Sequence, residues 1–219
     1  MTNILFFDVD GTLLTMKDGE QYVPPSAIAA MAEARARGCR SYLCTGRSLA
    51  EARSVGDLPV DGIIGAAGGF VLDGDTMVYH RALGEDAVCR IEAYLRSRGG
   101  SYYLECNSGL FFDDEFLAYV RTHWGIEGNH DFEAIMHGLA DVDRTEVNKV
   151  SFRMPSDTSF DDVLDALGED FYACARPMKA RRSLLARFRS RESTRQRPST
   201  CCSSISAFRR CGRSALVTA

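Results

Sequence analysis

The chain opens on an unbroken apolar run, Ile4 to Phe7, long enough for one buried parallel strand and too short for a buried helix. Residues 11–23 turn polar and read as a flap. Pro24-Pro25-Ser26 then starts a helix with Ser26 as N-cap, Ile28 and Met31 on its apolar side and Gly38 at its end. A second strand follows at Ser41–Cys44, a helix at Ser48–Val55 and a third strand from Asp61 to Ile64. Phe70–Tyr79 reads as a hairpin turning at Asp73-Gly74. Strands alternating with helices predict a doubly wound α/β fold with a parallel sheet and helices on both faces.

From about Gly84 the rhythm changes. A helix over Asp86–Arg98 leads to short strands at Tyr102–Glu105 and Leu110–Phe112, and helical patterns follow at Asp114–Trp124 and Asp131–Leu139. Val147–Arg153 is another strand, expected to be half exposed with Lys149 in solvent. A helix over Phe160–Leu167 and a strand over Phe171–Cys174 complete a second α/β block. The expected boundaries are a core part at 1–82, an inserted α/β block at 83–175 and an anomalous tail at 176–219.

Two carboxylates, Asp8 and Asp10, leave the C-terminal end of the first strand two positions apart. Open α/β sheets bind their ligands at that edge. Gly11 breaks the strand there, so the second carboxylate can turn back towards the first. Asp-x-Asp-Gly alone equally suits an ordinary turn. A second constellation lies one helix later: Thr45-Gly46-Arg47 ends an apolar strand just before a helical stretch, where main-chain amides can cradle an anion.

The full string Phe6-Phe7-Asp8-Val9-Asp10-Gly11-Thr12-Leu13 resembles the first signature of the haloacid dehalogenase superfamily of phosphohydrolases. Thr45-Gly46-Arg47 is similar to the second signature as the Cof-type (subfamily IIB) branch writes it. The resemblance implies a Rossmann-like core with an inserted α/β cap that closes over the site and selects the substrate. It implies Asp8 as the nucleophile, and Asp10 as the group that protonates the leaving oxygen and later activates water. Gly11, Thr45, Gly46 and Arg47 become substrate-binding positions. Mg2+ is the implied cofactor, held by the Asp8 carboxylate and the Asp10 backbone carbonyl, hard oxygens for a hard ion. Relatives often carry Asn-Gly-Ala after the third strand. This chain has Ala66-Ala67-Gly68-Gly69, so no side-chain role is carried over there.

With 219 residues, 45% of them hydrophobic, the chain can bury a full core. No apolar run approaches membrane-spanning length, no signal peptide precedes the first strand, and the eight cysteines show no metal-type spacing. A reducing cytoplasm and a small-molecule phosphate ester as partner are the expectations, with no membrane, no nucleic acid and no assigned oligomeric state.

Charge changes the picture at the end. Residues 1–180 carry 16 basic and 29 acidic side chains, whereas 181–219 carry ten arginines and one glutamate. The family's third and fourth signatures, a lysine and a Gly-Asp-x-x-x-Asp-type loop, should follow the cap. No lysine lies beyond Lys179 and no aspartate beyond Asp170. Synonymous codons for Ser204–Ala219 exist that, read from the third base, spell His-Leu-Gly-Ile-Pro-Pro-Val-Arg-Ser-Leu-Gly-Ile-Gly-Asp-Ser. That string is similar to the helix, strand and opening of the fourth signature. The same shift over Arg191–Arg195 permits Gly-Val-Asn-Lys, a usual form of the third. The tail therefore reads as frameshifted, with the break between Phe171 and Arg189, the C-terminal core part missing and catalysis impaired. A phosphomutase of the same superfamily, or a non-catalytic protein with a basic nucleic-acid-binding tail, are the alternatives.

Overall fold

The computed structural model describes residues 3–17, 20–124, 126, 129–167, 171–176, 184–190 and 215–216. The chain divides into two compact units, one formed by 1–81 with 198–219 and the other by 82–197.

In the first unit β1 (Ile4–Phe7) is followed by a small antiparallel hairpin, β2 (Thr15–Lys17) and β3 (Glu20–Tyr22), within the expected flap. Helix α1 (Pro25–Ala36) has Pro24 as N-cap and Pro25 at its first position, so Ser26 is not the cap. Proline's fixed φ and missing N–H suit that first position, which displaces the cap by two residues. β4 (Arg40–Cys44), α2 (Leu49–Arg53), β5 (Gly62–Gly65), β6 (Phe70–Asp73) and β7 (Thr76–His80) follow. β1, β4 and β5 run parallel, and the β6–β7 hairpin continues the sheet antiparallel to β5. On its other side β1 pairs in parallel with Ala215–Leu216, through Leu5 with Ala215 and Phe6 with Leu216. β1 is thus where the winding reverses, the switch point at which open α/β sheets place ligands. Val9, Leu13, Met31, Leu43, Leu49, Ile63, Phe70 and Leu72 form the core. The second glycine of the Gly-Ile-Ile-Gly strand is steric: a Cβ on Gly65 would sit 2.0 Å from the Phe70 ring.

The second unit contains α3 (Glu85–Ser97), β8 (Ser101–Cys106), β9 (Leu110–Phe112), α4 (Asp114–His123), the single turn α5 (His130–Glu133), β10 (Met136–Gly138), β11 (Val147–Met154), α6 (Phe160–Leu167), β12 (Phe171–Arg176) and β13 (Leu184–Ser190). Its sheet has the order β10-β9-β8-β11-β13-β12, antiparallel except for β10 on β9. Strand alternation gives two apolar faces. Tyr102, Leu104, Val150, Phe152 and Met154 meet Val88, Ile91 and Leu95 of α3 and Val163 of α6. Tyr103, Leu110 and Phe112 meet Phe116 and Val120 of α4.

Three readings change here. The helix expected over Asp131–Leu139 is one turn followed by β10, because Met136–Gly138 pairs with Leu110–Phe112. Lys149 is buried rather than solvated: its Nζ lies 2.5 Å from Glu105 Oε2, and Ser151 Oγ donates to Glu105 Oε1 at 2.6 Å. The strand Leu184–Ser190 lies within the segment that shows no strand period, and pairs with both β11 and β12.

Candidate active site

Strand β1 stops at Phe7, and the chain turns through Val9 to Asp10, which forms an isolated bridge with Leu14. Val9 is buried while Asp8 and Asp10 on either side of it are exposed. The turn closes when the Val9 carbonyl accepts the N–H groups of Leu13 at 3.1 Å and Leu14 at 2.9 Å. Gly11 supplies the φ of +81° that this turn requires. Asp8 Oδ1 accepts the Val9 N–H at 2.9 Å. Burial on its inner side raises the Asp8 pKa, the Val9 N–H opposes that rise, and the charge of Asp10 adds to it. The two carboxylates therefore feel each other.

Beside them β4 ends at Cys44, whose thiol is pushed up to about 11 by burial and by the charge of Asp8, which keeps it neutral. Thr45 is almost wholly buried. Its Oγ1 accepts the Arg47 N–H at 3.1 Å, leaving the hydroxyl proton to donate elsewhere. Ser48 caps α2 through a capping box with Glu51. Because the helix starts at Leu49, Gly46 and Arg47 precede it, and the Arg47 amide is already used within the turn. The anion cradle expected at these two amides is thus reduced on the Arg47 side. The turn after β5 is bonded to the same segment: Ala66 N–H donates to the Arg47 carbonyl at 2.7 Å and Ala67 N–H to the Thr45 carbonyl at 3.1 Å. Ala66 and Ala67 hold φ of +48° and +54°, a region where asparagine or glycine would be unstrained.

The Arg47 side chain has a role that sequence reasoning missed. Its Nε and Nη2 meet Asp10 Oδ2 and Oδ1 at 3.1 and 2.7 Å, a two-pronged ion pair. The partners lie 37 positions apart, on different strand ends, and no local pattern announces such a pairing. Burial lowers the Arg47 pKa, but the bonds and charge of Asp10 and the charge of Glu51 outweigh it, so the net shift is upward.

Two adjacent hard carboxylates, Asp8 raised first by burial and further by the charge of Asp10, are chemistry that a divalent cation relieves, so this donor set suits Mg2+. Among the described residues no group of three or more His, Cys, Asp or Glu could hold a metal.

The α/β fold described above agrees with the comparisons. The sequence profile of the haloacid dehalogenase-like hydrolases matches residues 5–185. The chain belongs to that family. No curated protein sequence matches it. Among solved structures it is similar to a phosphatase of the haloalkanoate dehalogenase superfamily from Bacteroides thetaiotaomicron, at 21% identity and TM-score 0.62, over 87% of this chain and 67% of that one. It is also similar to a subclass IIB sugar phosphatase, at 20% identity and TM-score 0.59, over 86% and 70%. A haloacid dehalogenase-like hydrolase from B. subtilis matches at 17% identity and TM-score 0.61, over 87% and 74%. These likenesses establish the Rossmann-like α/β fold.

Proposed function

We propose that the chain is a phosphomonoester hydrolase of small phosphorylated metabolites such as sugar phosphates, acting through a phospho-aspartate on Asp8. The observation that carries this is the pair Asp8 and Asp10, both open to solvent at the switch point of the sheet, with Thr45 just past the end of the neighbouring strand. An Asp8 oxygen attacks phosphorus, the bond to the ester oxygen breaks, and Asp10 gives that oxygen its proton. Asp10 then takes a proton from water, which attacks the phosphorus and releases inorganic phosphate from Asp8. Thr45 donates its hydroxyl to a phosphoryl oxygen, with the Gly11 and Gly46 main chain lining the same end of the sheet. The Asp8 carboxylate and Asp10 carbonyl would hold Mg2+, which when bound neutralises charge on the transferring group. Among the described residues no helix is long and apolar enough to cross a membrane, and we place the reaction in the cytoplasm.

We further propose that the tail is translated out of frame and that this chain is impaired. The family match ends at residue 185, inside the interval Phe171–Arg189 expected for the break, which supports the reading. The parallel pairing of Ala215–Leu216 with β1 also supports the reading. In the second frame the codons after that strand read Gly-Asp-Ser. Without that aspartate and the third-signature lysine, electrostatic stabilisation of the transition state is reduced.

The test is hydrolysis of a panel of sugar phosphates with Mg2+, followed as phosphate release over hours, together with sequencing of the coding DNA from the Asp170 codon past the stop. Slow release abolished by Asp8→Asn, and a second frame running on to further aspartates, are expected. Turnover in the ordinary range, about 1–10³ s⁻¹, would overturn the impairment. Release unaffected by Asp8→Asn would overturn the mechanism. Transfer to a second sugar hydroxyl instead of water would identify a phosphomutase.

A further inference from the structure

We propose that Arg47 is the positioning residue for Asp10, fixing its carboxylate for the step in which water attacks the phosphorylated Asp8. The inference rests on the phosphatase reading above and adds a role for one side chain to it.

Asp10 stands on an exposed turn, with about half of its side chain open to water. Left to itself, such a carboxylate rotates about two side-chain bonds and presents either oxygen in many directions. The Arg47 guanidinium removes that freedom by engaging both oxygens at once. A fork of this kind sets the plane as well as the position of its partner, which a point charge cannot do.

The fork is itself held. Its side chain is mostly buried, at 19% exposure. Its amide is bonded to Thr45 Oγ1 and its carbonyl to the Ala66 N–H. Arg47 therefore ties together the ends of β1, β4 and β5, the three strands that bring the candidate site together. Each tether acts on the same short turn, so the orientation of Asp10 is set by the sheet rather than by its own loop.

The second half of the reaction asks Asp10 to take a proton from water in a fixed direction, and a two-pronged grip supplies that fixity. The first half with a nitrophenyl ester makes no such demand, because nitrophenolate leaves without a proton. The two halves can therefore be separated. With p-nitrophenyl phosphate and Mg2+, Arg47→Ala is expected to lower kcat about 10²-fold. KM should fall in proportion, so that kcat/KM stays within a few-fold of the parent. Phospho-Asp8, trapped by acid quench and read by mass spectrometry, should rise as the water step slows. Arg47→Lys keeps the charge without the fork and is expected to stay near Arg47→Ala.

A raised KM with unchanged kcat would show that the guanidinium binds the phosphoryl group instead, and overturns the inference. Full recovery in Arg47→Lys overturns it as well, since charge alone would then suffice. The pair has its own readout: an exchange-protected Arg47 Nε–H resonance, present in the parent and lost in Asp10→Asn. Its absence from the parent overturns the inference whatever the kinetics. Absence of phospho-Asp8 from the parent under every condition would overturn the phosphatase reading and this role with it. Any other adverse result overturns this role alone.

Discussion

Glu92 offers a sharp test of how the second unit is held together. Its carboxylate is 4% exposed on α3, yet it accepts from Arg144 Nε at 2.7 Å, Arg144 Nη2 at 3.2 Å, Arg96 Nη2 at 3.1 Å and the Tyr102 hydroxyl at 2.8 Å. Three segments therefore converge on one side chain. Glu92→Ala removes every acceptor. The Tyr102 hydroxyl is buried and has nowhere to turn, which costs about 1–3 kcal/mol. The charged bond from Arg144 is worth about 1.5–3 kcal/mol, part of it recovered because this arginine can reach water. Arg96, 58% exposed, loses about 0.3 kcal/mol. These contributions share one partner and do not add fully, so about 3 kcal/mol is expected for the whole. Glu92→Gln keeps an acceptor for Tyr102 and should cost about 1–2 kcal/mol. The assay is urea unfolding followed by fluorescence of Trp124, the single tryptophan, which packs against Tyr103 and Phe116 of the same unit. A cost below about 1 kcal/mol for Glu92→Ala, or equal costs for the Ala and Gln variants, would refute the reasoning.

Further outcomes follow from other sites. Phe116 is fully buried, with its ring 5.0 Å from Tyr103 and 6.1 Å from Trp124, so Phe116→Ala should cost about 3–5 kcal/mol and shift the Trp124 emission. Ala67→Gly should stabilise the first unit by about 0.5–1 kcal/mol in thermal unfolding, because a φ of +54° strains alanine; a loss of stability would contradict the left-handed turn. The Tyr42 hydroxyl at 2.9 Å and the Arg40 guanidinium hold Asp73 below its ordinary value of 3.8. A lowered carboxylate pKa contributes stability that is present above about pH 4 and lost as the pH falls through the native value. Asp73→Asn should therefore flatten the decline of stability in acid, and an unchanged acid profile would show that the carboxylate is not paired in solution.

Much of the fold was legible because local signals and burial agree. Ile4–Phe7, Tyr42–Cys44 and Ile63–Ile64 are apolar runs in strands, and the capping box at Ser48 and Glu51 declares α2. The misreadings in the second unit share a cause: the deciding partner is distant in sequence. Met136–Gly138 has a helical pattern but is drawn into a strand by Leu110–Phe112. Lys149 looks like a surface residue until Glu105, a neighbour only across the sheet, is placed beside it. At the candidate site Asp8, Asp10 and Thr45 could be named because strand ends followed by short polar residues are visible in one dimension. The grip of Arg47 on Asp10 could not, since it depends on β1 and β4 lying side by side. The positive φ of Ala66 and Ala67 was equally invisible, since alanine gives no sign of a left-handed turn.

The central claim is that Asp8 takes the phosphoryl group. The most direct measurement is to incubate the purified chain with p-nitrophenyl phosphate and Mg2+, quench in acid, reduce with borohydride and map the peptides by mass spectrometry. The account predicts one phosphoryl adduct, converted by borohydride to the reduced side chain at Asp8 and absent from Asp8→Asn. A stable adduct on another residue, or phosphate released with Asp8 never modified, would contradict it.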